Sequence, residues 1–349
     1  MRLRLLLAPL AAGILLFGWH AGWRLHLATL AGTTRGYRDG PGPSARFDQP
    51  GGLAIAPDGA VIVADTYNHR IRRVACDGVV TTLAGGGDTG VHSGGMRDGD
   101  AEQARFRFPR DVAVDGAGNV YVADTNNQAI RRIAPDGRVT TLAGGTRGYR
   151  DGAGDQARFD DPWNLTVTRG GVVYVADTYN QRIRRISPDG RVSTLAGGGP
   201  TGIQAGGYRD GLGAQARFHA PRGLVMDGED VLVADAGNRC IRRITPAGLV
   251  TTVAGMPTRI DAQGNAIGGA LIYPTAIALG PDGIYVSDSA AHQIWRVARN
   301  AVRGLLLGDF GDRDGWLFLS GLNDAQGLAR GENGALYVAD TTGNRIRRL

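Results

Sequence analysis

Short apolar segments alternate with glycine- and aspartate-rich turns along most of the chain. In the first complete unit, Leu53–Ala56 is followed by the apolar run Val61–Ala64, by Arg70–Val74 after a polar turn, and by Val79–Leu83 after an Asp-Gly turn. Segments of this length, bounded by Gly, Asp and Asn, are typical of short antiparallel strands. The pattern therefore predicts four strands per unit.

The unit recurs six times, which predicts an all-β propeller with six blades. Its most regular part reads Val-Ala-Asp-Thr-Tyr-Asn-His-Arg-Ile-Arg-Arg in the first copy, and the fifth copy is degraded, with Trp295 in place of an Arg. The copies are Val63–Arg73, Val122–Arg132, Val175–Arg185, Val233–Arg243, Val286–Arg296 and Val338–Arg348.

The sixth unit stops at its third strand, and the missing strand is predicted near the start of the chain. Leu27–Gly32 reads Leu-Ala-Thr-Leu-Ala-Gly and matches the fourth-strand text Val80–Gly85. Pairing this segment with the last unit would remove the open sheet edges of a linear array. We expect residues 25–349 to form one propeller that is closed by its N-terminal strand.

The repeat resembles the NHL repeat, through Asn68-His69-Arg70-Ile71, the recurrent Tyr-Val-Ala-Asp and Ile-Arg-Arg, and the Asp-Gly turns. The fifth and sixth units depart from it, with Ala291 and Gly343 where earlier units have Asn. The resemblance implies a six-bladed propeller that acts as a binding platform. It leaves room for catalysis, because a minority of related six-bladed proteins are enzymes.

The first 24 residues differ from the rest. Met1-Arg2-Leu3-Arg4 is basic, and Leu5–Trp23 is almost entirely apolar and long enough to span a bilayer as a helix. We predict a signal peptide or an uncleaved signal anchor at residues 1–24. The propeller is then expected on the periplasmic or extracellular side, tethered to the inner membrane or secreted after cleavage, with membrane contact only through this segment.

Charge and cysteine content exclude few functions. The 39 basic and 33 acidic residues give a formal net charge of +6 without a long basic run. That balance does not predict a nucleic-acid partner. Cys76 and Cys240 fall in turns on opposite faces of the predicted propeller, so no disulfide is expected. We expect a monomer without a cofactor.

Two recurring acidic positions are interpreted as structural. The Asp of each Val-Ala-Asp closes a turn, where Asp commonly bonds nearby backbone. In the long links between blades, Asp39 precedes Arg46 by seven residues, and the next three links repeat this spacing. We expect each link to fold on itself, with an Asp–Arg pair bracing the turn and the following Phe47 packed on the blade.

Candidate functional residues lie at the mouth of the central channel, on the face that carries the long links. These positions follow the proline that opens each first strand, and they are chemically mixed, as a binding pocket requires. Two arginines could hold an anionic group, with a tryptophan as an apolar wall. The predicted ligand-binding residues are Arg110, Asp111, Trp163, Asn164, Arg222, Thr275 and Gln326.

The leading functional hypothesis is non-catalytic binding of a protein, peptide or glycan through the long-link face. The alternative is a propeller lyase or lactonase with a divalent metal in the channel. Asp111 and Asn164 are only two oxygen ligands for such an ion, and no His falls at a channel position, so neither metal nor catalytic residues are assigned. RNA binding, known for some NHL propellers, is disfavoured by the export segment.

Overall fold

The protein forms six antiparallel sheets arranged as the blades of a propeller, as the sequence predicts. The computed structural model describes residues 26–88, 93–255, 259–260, 266–267, 271–281, 283–298, 301–306, 314–316 and 321–349. The predicted signal or anchor at residues 1–24 lies outside these ranges. Within them, no helix has the length and hydropathy needed to cross a bilayer.

Blades 1 to 3 each contain four consecutive strands, which are ordered from the central channel to the outer rim. Their strands are Pro50–Ile55, Val61–Asp65, Arg70–Val74 and Val80–Ala84; Pro109–Val114, Val120–Asp124, Ala129–Ile133 and Val139–Gly144; and Pro162–Val167, Val173–Asp177, Arg182–Ile186 and Val192–Ala196. A 3-10 turn joins the second and third strands, at Thr66–Asn68, Thr125–Asn127 and Thr178–Asn180.

Blades 4 to 6 follow the same plan with additions at the edges. Their strands are Pro221–Asp227, Asp230–Asp235, Cys240–Ile244, Leu249–Ala254 and the edge strand Gly211–Leu212; Pro274–Gly280, Gly283–Asp288, Gln293–Ala298 and Ala301–Leu306; and Ala325–Arg330, Leu336–Asp340, Arg345–Arg348, His26–Ala31 and the edge strand Gly315–Trp316. The remaining elements are the 3-10 turns Gly42–Ser44, Gly213–Gln215 and Ala236–Asn238 and the hairpin of Arg259–Ile260 with Ala266–Ile267.

The N-terminal strand completes blade 6 and confirms the predicted closure. His26–Ala31 pairs antiparallel with Arg345–Arg348, and Ala28 stands opposite Arg348. The first strand of each blade packs against those of both neighbours, blade 6 against blade 1 included. The first and last parts of the chain therefore share one sheet, and the ring is closed by backbone hydrogen bonds.

Apolar side chains fill the seams between neighbouring blades. Each of the six seams holds one buried cluster, and the seam between blades 6 and 1 contains Val61, Val63 and Ile346. The link phenylalanines complete four of these clusters, as predicted. All four are fully buried: Phe47, Phe106, Phe159 and Phe218. The blades are thus held by apolar packing that is strongest where a link crosses a seam.

In five of the six blades, a buried arginine ties the link to the blade through two carboxylates. In blade 2, Arg131 donates to Asp124 at 2.8 Å and to Asp98, in the link, at 2.6 Å. Asp124 also accepts the backbone N–H of Arg107 at 2.7 Å and the side-chain amide of Asn127 at 2.8 Å. The equivalent arginines are fully buried as well: Arg72, Arg184, Arg242 and Arg347. The repeated Asp is therefore structural, as the sequence analysis proposes.

The predicted pairing between Asp39 and Arg46 is wrong. Asp39 binds Arg72 of the third strand instead, at 2.5 Å, and Arg46 contributes only its carbonyl oxygen to that guanidinium. The link does fold on itself, through an antiparallel bridge between Arg38 and Arg46. Successive side chains of an extended segment point in opposite directions. The residues on either side of Arg46 are buried, and the side chain of Arg46 therefore faces solvent.

In the last link, too, the Asp pairs with the arginine of the third strand. Asp314 binds Arg347 at 2.7 Å, although Gly321 stands where the link arginine would be. The carbonyl of Gly321 accepts from Arg347 at 3.3 Å, as the carbonyl of Arg46 does in blade 1. The third-strand arginine is therefore sufficient for the pair.

The free state of both cysteines agrees with the expectation of no disulfide.

A side-chain clasp joins neighbouring blades on the long-link face. Gln128, in the left-handed turn of blade 2 (φ 55°), accepts the backbone N–H of Asp161 in blade 3 at 2.8 Å. Gln181 does the same for Ala220 at 2.7 Å. Blade 4 has Arg239 at this position, and a guanidinium cannot accept a hydrogen bond. Two further clasps join His69 to Phe108 and Asn344 to Gln49.

Candidate functional site

The predicted mouth residues stand at β-bulges, which explains how a repetitive strand presents them. In blade 2, Pro109 pairs with Asp124 and Asp111 with Ala123, so Arg110 has no partner in the ladder. Bulges re-aim the side chain of the extra residue. The same irregularity follows the opening residue of the first strand in the other blades, at Gly51, Trp163, Arg222, Thr275 and Gln326.

Three of these residues form a stack across the mouth. The guanidinium of Arg110 lies over the ring of Trp163 at 3.8 Å, and that of Arg222 lies over the same ring at 3.6 Å. Arg110 belongs to the preceding blade and Arg222 to the following one, so both neighbouring blades contribute a cation to the same indole. Arg222 also lies over Tyr273 of blade 5, at 4.8 Å. Blades 2 to 5 thus contribute one continuous cationic and aromatic row.

The two mouth arginines lack the carboxylate partners that the framework arginines have. Each framework arginine such as Arg131 binds two carboxylates, whereas the described residues give Arg110 and Arg222 no ion pair and no hydrogen bond. The Nε atoms of both are buried without an acceptor. Burial lowers the pKa of each guanidinium, and the carboxylate of Asp161 opposes this effect in both. Among the described residues these cations form no ion pair, which leaves them available to an anion.

The carboxyl groups near the stack are poorly stabilised in their charged form. Burial raises the pKa of Asp161, and the two mouth arginines only partly oppose this. One oxygen of Asp161 is buried without a hydrogen-bond partner among the described residues. Burial also raises the pKa of Asp324, which receives a hydrogen bond from Gln326 at 2.7 Å. The mouth therefore contains both signs of charge without direct ion pairing between them.

Asp111 and Asn164 point away from this row and bind the next blade along the ring. Asp111 Oδ2 accepts the backbone N–H of Leu165 at 2.9 Å, and Asn164 Oδ1 accepts that of Leu224 at 2.7 Å. Both residues line one end of the central channel, a cavity of about 320 Å³ whose walls are mostly apolar. Burial raises the pKa of Asp111 to about 8, opposed only by backbone hydrogen bonds.

The other two predicted residues have local roles. Thr275 is buried and bonds the carbonyl of Tyr273 at 3.1 Å and the hydroxyl of Ser289 at 2.8 Å. Gln326 holds Asp324, as described above. The structure therefore brings together Arg110, Trp163 and Arg222. The remaining four predicted residues contact other groups, Asp111 and Asn164 in the next blade and Thr275 and Gln326 close to their own strands.

The residue before the opening proline also contributes to the mouth, and the sequence analysis overlooked it. Asp161, Tyr273 and Asp324 occupy this position in blades 3, 5 and 6, and all three act electrostatically on Arg222. Moving one residue upstream in each repeat would have found them. Among the described residues, no three His, Cys, Asp or Glu side chains lie close enough together to hold a metal ion.

Comparison with known proteins identifies the repeat. The NHL repeat family profile matches residues 47–74, 106–133 and 159–186, which are the first three units of the ring. Three units of this propeller are thus NHL repeats. The NHL repeat-containing protein 2 of Homo sapiens is 28% identical over 330 residues, which cover 82% of this chain and 44% of that protein. The chain spans less than half the length of the curated relatives it matches.

Solved structures with this fold include enzymes. A gluconolactonase from Xanthomonas campestris superposes with a TM-score of 0.58 at 16% identity, covering 92% of this chain and 88% of its own. A virginiamycin B lyase from Staphylococcus aureus gives 0.52 at 14% identity, covering 86% and 94%. At these identities the likeness shows the fold alone.

Proposed function

We propose that this NHL propeller is a non-catalytic binding platform that holds a protein, peptide or glycan ligand at its long-link face. The observation that carries the proposal is the row of Arg110, Trp163 and Arg222, in which two largely buried guanidiniums have no partner within the described residues. Leaving a buried charge unpaired is costly for folding. Such an arrangement is understandable if a ligand supplies the missing acceptors.

The proposed location is outside the cytoplasm, with residues 1–24 as the signal or anchor. The basic start and the apolar run of this segment support that location. A reporter enzyme that is active only after export, fused to the C-terminus, tests it. Reporter activity that depends on residues 1–24 would support the proposal, and activity of a cytoplasmic reporter alone would refute it.

Pull-down with a charge-reversed mouth tests the platform itself. The full-length chain is compared with R110E/R222E, and with R38E/R150E as a control of equal charge change on two exposed link arginines. We expect the ligand to be retained by the first and third proteins and lost by the second. Equal retention by all three would place the binding surface elsewhere.

A lyase or lactonase is the second candidate, because Asp111 and Asn164 stand at one end of a channel and the fold is shared with such enzymes. Asp111 accepts the backbone N–H of Leu165 and lines the channel, so a ligand in the channel would meet its carboxyl group. A lactone-hydrolysis screen with and without added divalent ions, and with D111N as control, separates the two functions. Turnover that D111N abolishes would favour the enzyme.

A further inference from the structure

We infer that the ligand of the Arg110–Trp163–Arg222 row is an acidic peptide segment, whose carboxylate binds the guanidinium N–H groups of Arg110 and Arg222 and whose apolar neighbours lie on the adjoining surface. The inference rests on the proposed function and specifies its ligand. Its first support is the contrast between this row and the five framework arginines, of which Arg131 is typical. The framework arginines form two ion pairs each, whereas the mouth arginines form none with the described residues, although the carboxylate of Asp161 acts on both electrostatically.

Carboxylates suit the guanidinium better than neutral ligands do. A guanidinium presents parallel N–H donors that match the two oxygens of a carboxylate. Two such groups are held against Trp163 by cation–π contacts at 3.8 and 3.6 Å, so little side-chain freedom is lost on binding. The two guanidiniums are therefore already positioned for an oxyanion in the absence of ligand.

The same stack argues against a neutral sugar. Sugars are commonly bound by an exposed aromatic face, but two guanidiniums already lie over the ring of Trp163. A doubly charged phosphate is also less suitable than a carboxylate. Asp161 and Asp324 act on Arg222 from close range and would repel a dianion more strongly than a single negative charge.

Apolar surface next to the row points to a peptide rather than a free small acid. Ile203 is 51% exposed, and the neighbouring Gly202 N–H donates to the carbonyl of Tyr179 at 2.7 Å. Tyr179 lies within electrostatic range of both mouth arginines. On the other side, Ile272 is 48% exposed and precedes Tyr273, which contacts Arg222. Two exposed isoleucines beside a cationic row fit a peptide in which apolar residues adjoin an acid.

An array of short peptides with amidated C-termini tests the inference directly. Each peptide with Asp or Glu is paired with the same peptide carrying Asn or Gln, and a panel of neutral glycans is printed beside them. The full-length chain is applied in mild detergent, together with R110Q/R222Q and the matched control R38Q/R150Q. Melting temperatures verify that all three proteins are folded.

We expect acidic peptides with adjacent Leu, Ile or Val to bind at least tenfold more tightly than their amide counterparts. R110Q/R222Q should lose that preference, and R38Q/R150Q should keep it. Binding of peptides without any preference for acids, or binding of glycans alone, would overturn the inference and leave the platform standing. If no peptide and no glycan bound the wild-type chain, both the inference and the proposed function would fail.

Discussion

The carboxyl of Asp111 should make the stability of the propeller depend on pH. The residue is 4% exposed, accepts one N–H from Leu165, and has no cation beside it in the described structure. Burial raises its pKa from 3.8 to about 8. The folded state therefore holds this proton more tightly than the unfolded state does. The resulting stabilisation is complete below the unfolded pKa and is lost as the pH rises through the folded pKa.

The substitution D111N isolates this effect. Asn164 occupies the equivalent position of blade 3 and accepts a backbone N–H in the same way, so an amide fits the site. Each pH unit between the two pKa values is worth about 1.4 kcal/mol. Between about pH 5 and pH 8, the stability of D111N relative to wild type should therefore rise by up to about 4 kcal/mol, an upper limit because channel water screens the ionised carboxylate.

Urea unfolding followed by circular dichroism, repeated across this pH range, measures the difference. Other titrating groups are common to both proteins, so they cancel when the two unfolding curves are subtracted. N164D is the converse control, and it should acquire a similar loss of stability at high pH. Parallel wild-type and D111N stabilities from about pH 5 to pH 9 would refute the argument, because they would mean that the carboxyl titrates as it does in water.

Three further predictions concern the framework. Deleting residues 26–31 removes the closing strand of blade 6 and should lower the melting temperature sharply; an unchanged melting temperature would contradict circular closure. R131M leaves the buried Asp124 without its cation and should cost about 3–5 kcal/mol in denaturant unfolding, whereas an effect below about 1 kcal/mol would show that the carboxylate needs no partner. Q128A should cost about 1 kcal/mol more than R239A, since both put Ala in a left-handed turn but only Gln128 accepts a hydrogen bond from the next blade; equal costs would argue against the clasp.

The number of blades, the closing strand and the buried link phenylalanines could all be predicted from the sequence. Each depends on a short pattern that repeats with the same neighbours. Val-Ala-Asp marks the end of one strand in five of the six units, with Val286-Ser287-Asp288 in the other, and Leu27–Gly32 matches a strand text found elsewhere in the chain. Local pattern was also enough to identify Arg110 and Arg222, because their position relative to the opening proline is fixed by the repeat.

Only the tertiary structure decided which of these residues touch. The partner of Asp39 is Arg72, 33 residues away, and not the arginine seven residues on, because strand alternation turns the nearer side chain outward. The stack on Trp163 joins residues from three blades. Such contacts follow from the curvature of the ring, which sets side chains of neighbouring repeats against each other. No pattern within a single repeat carries that information.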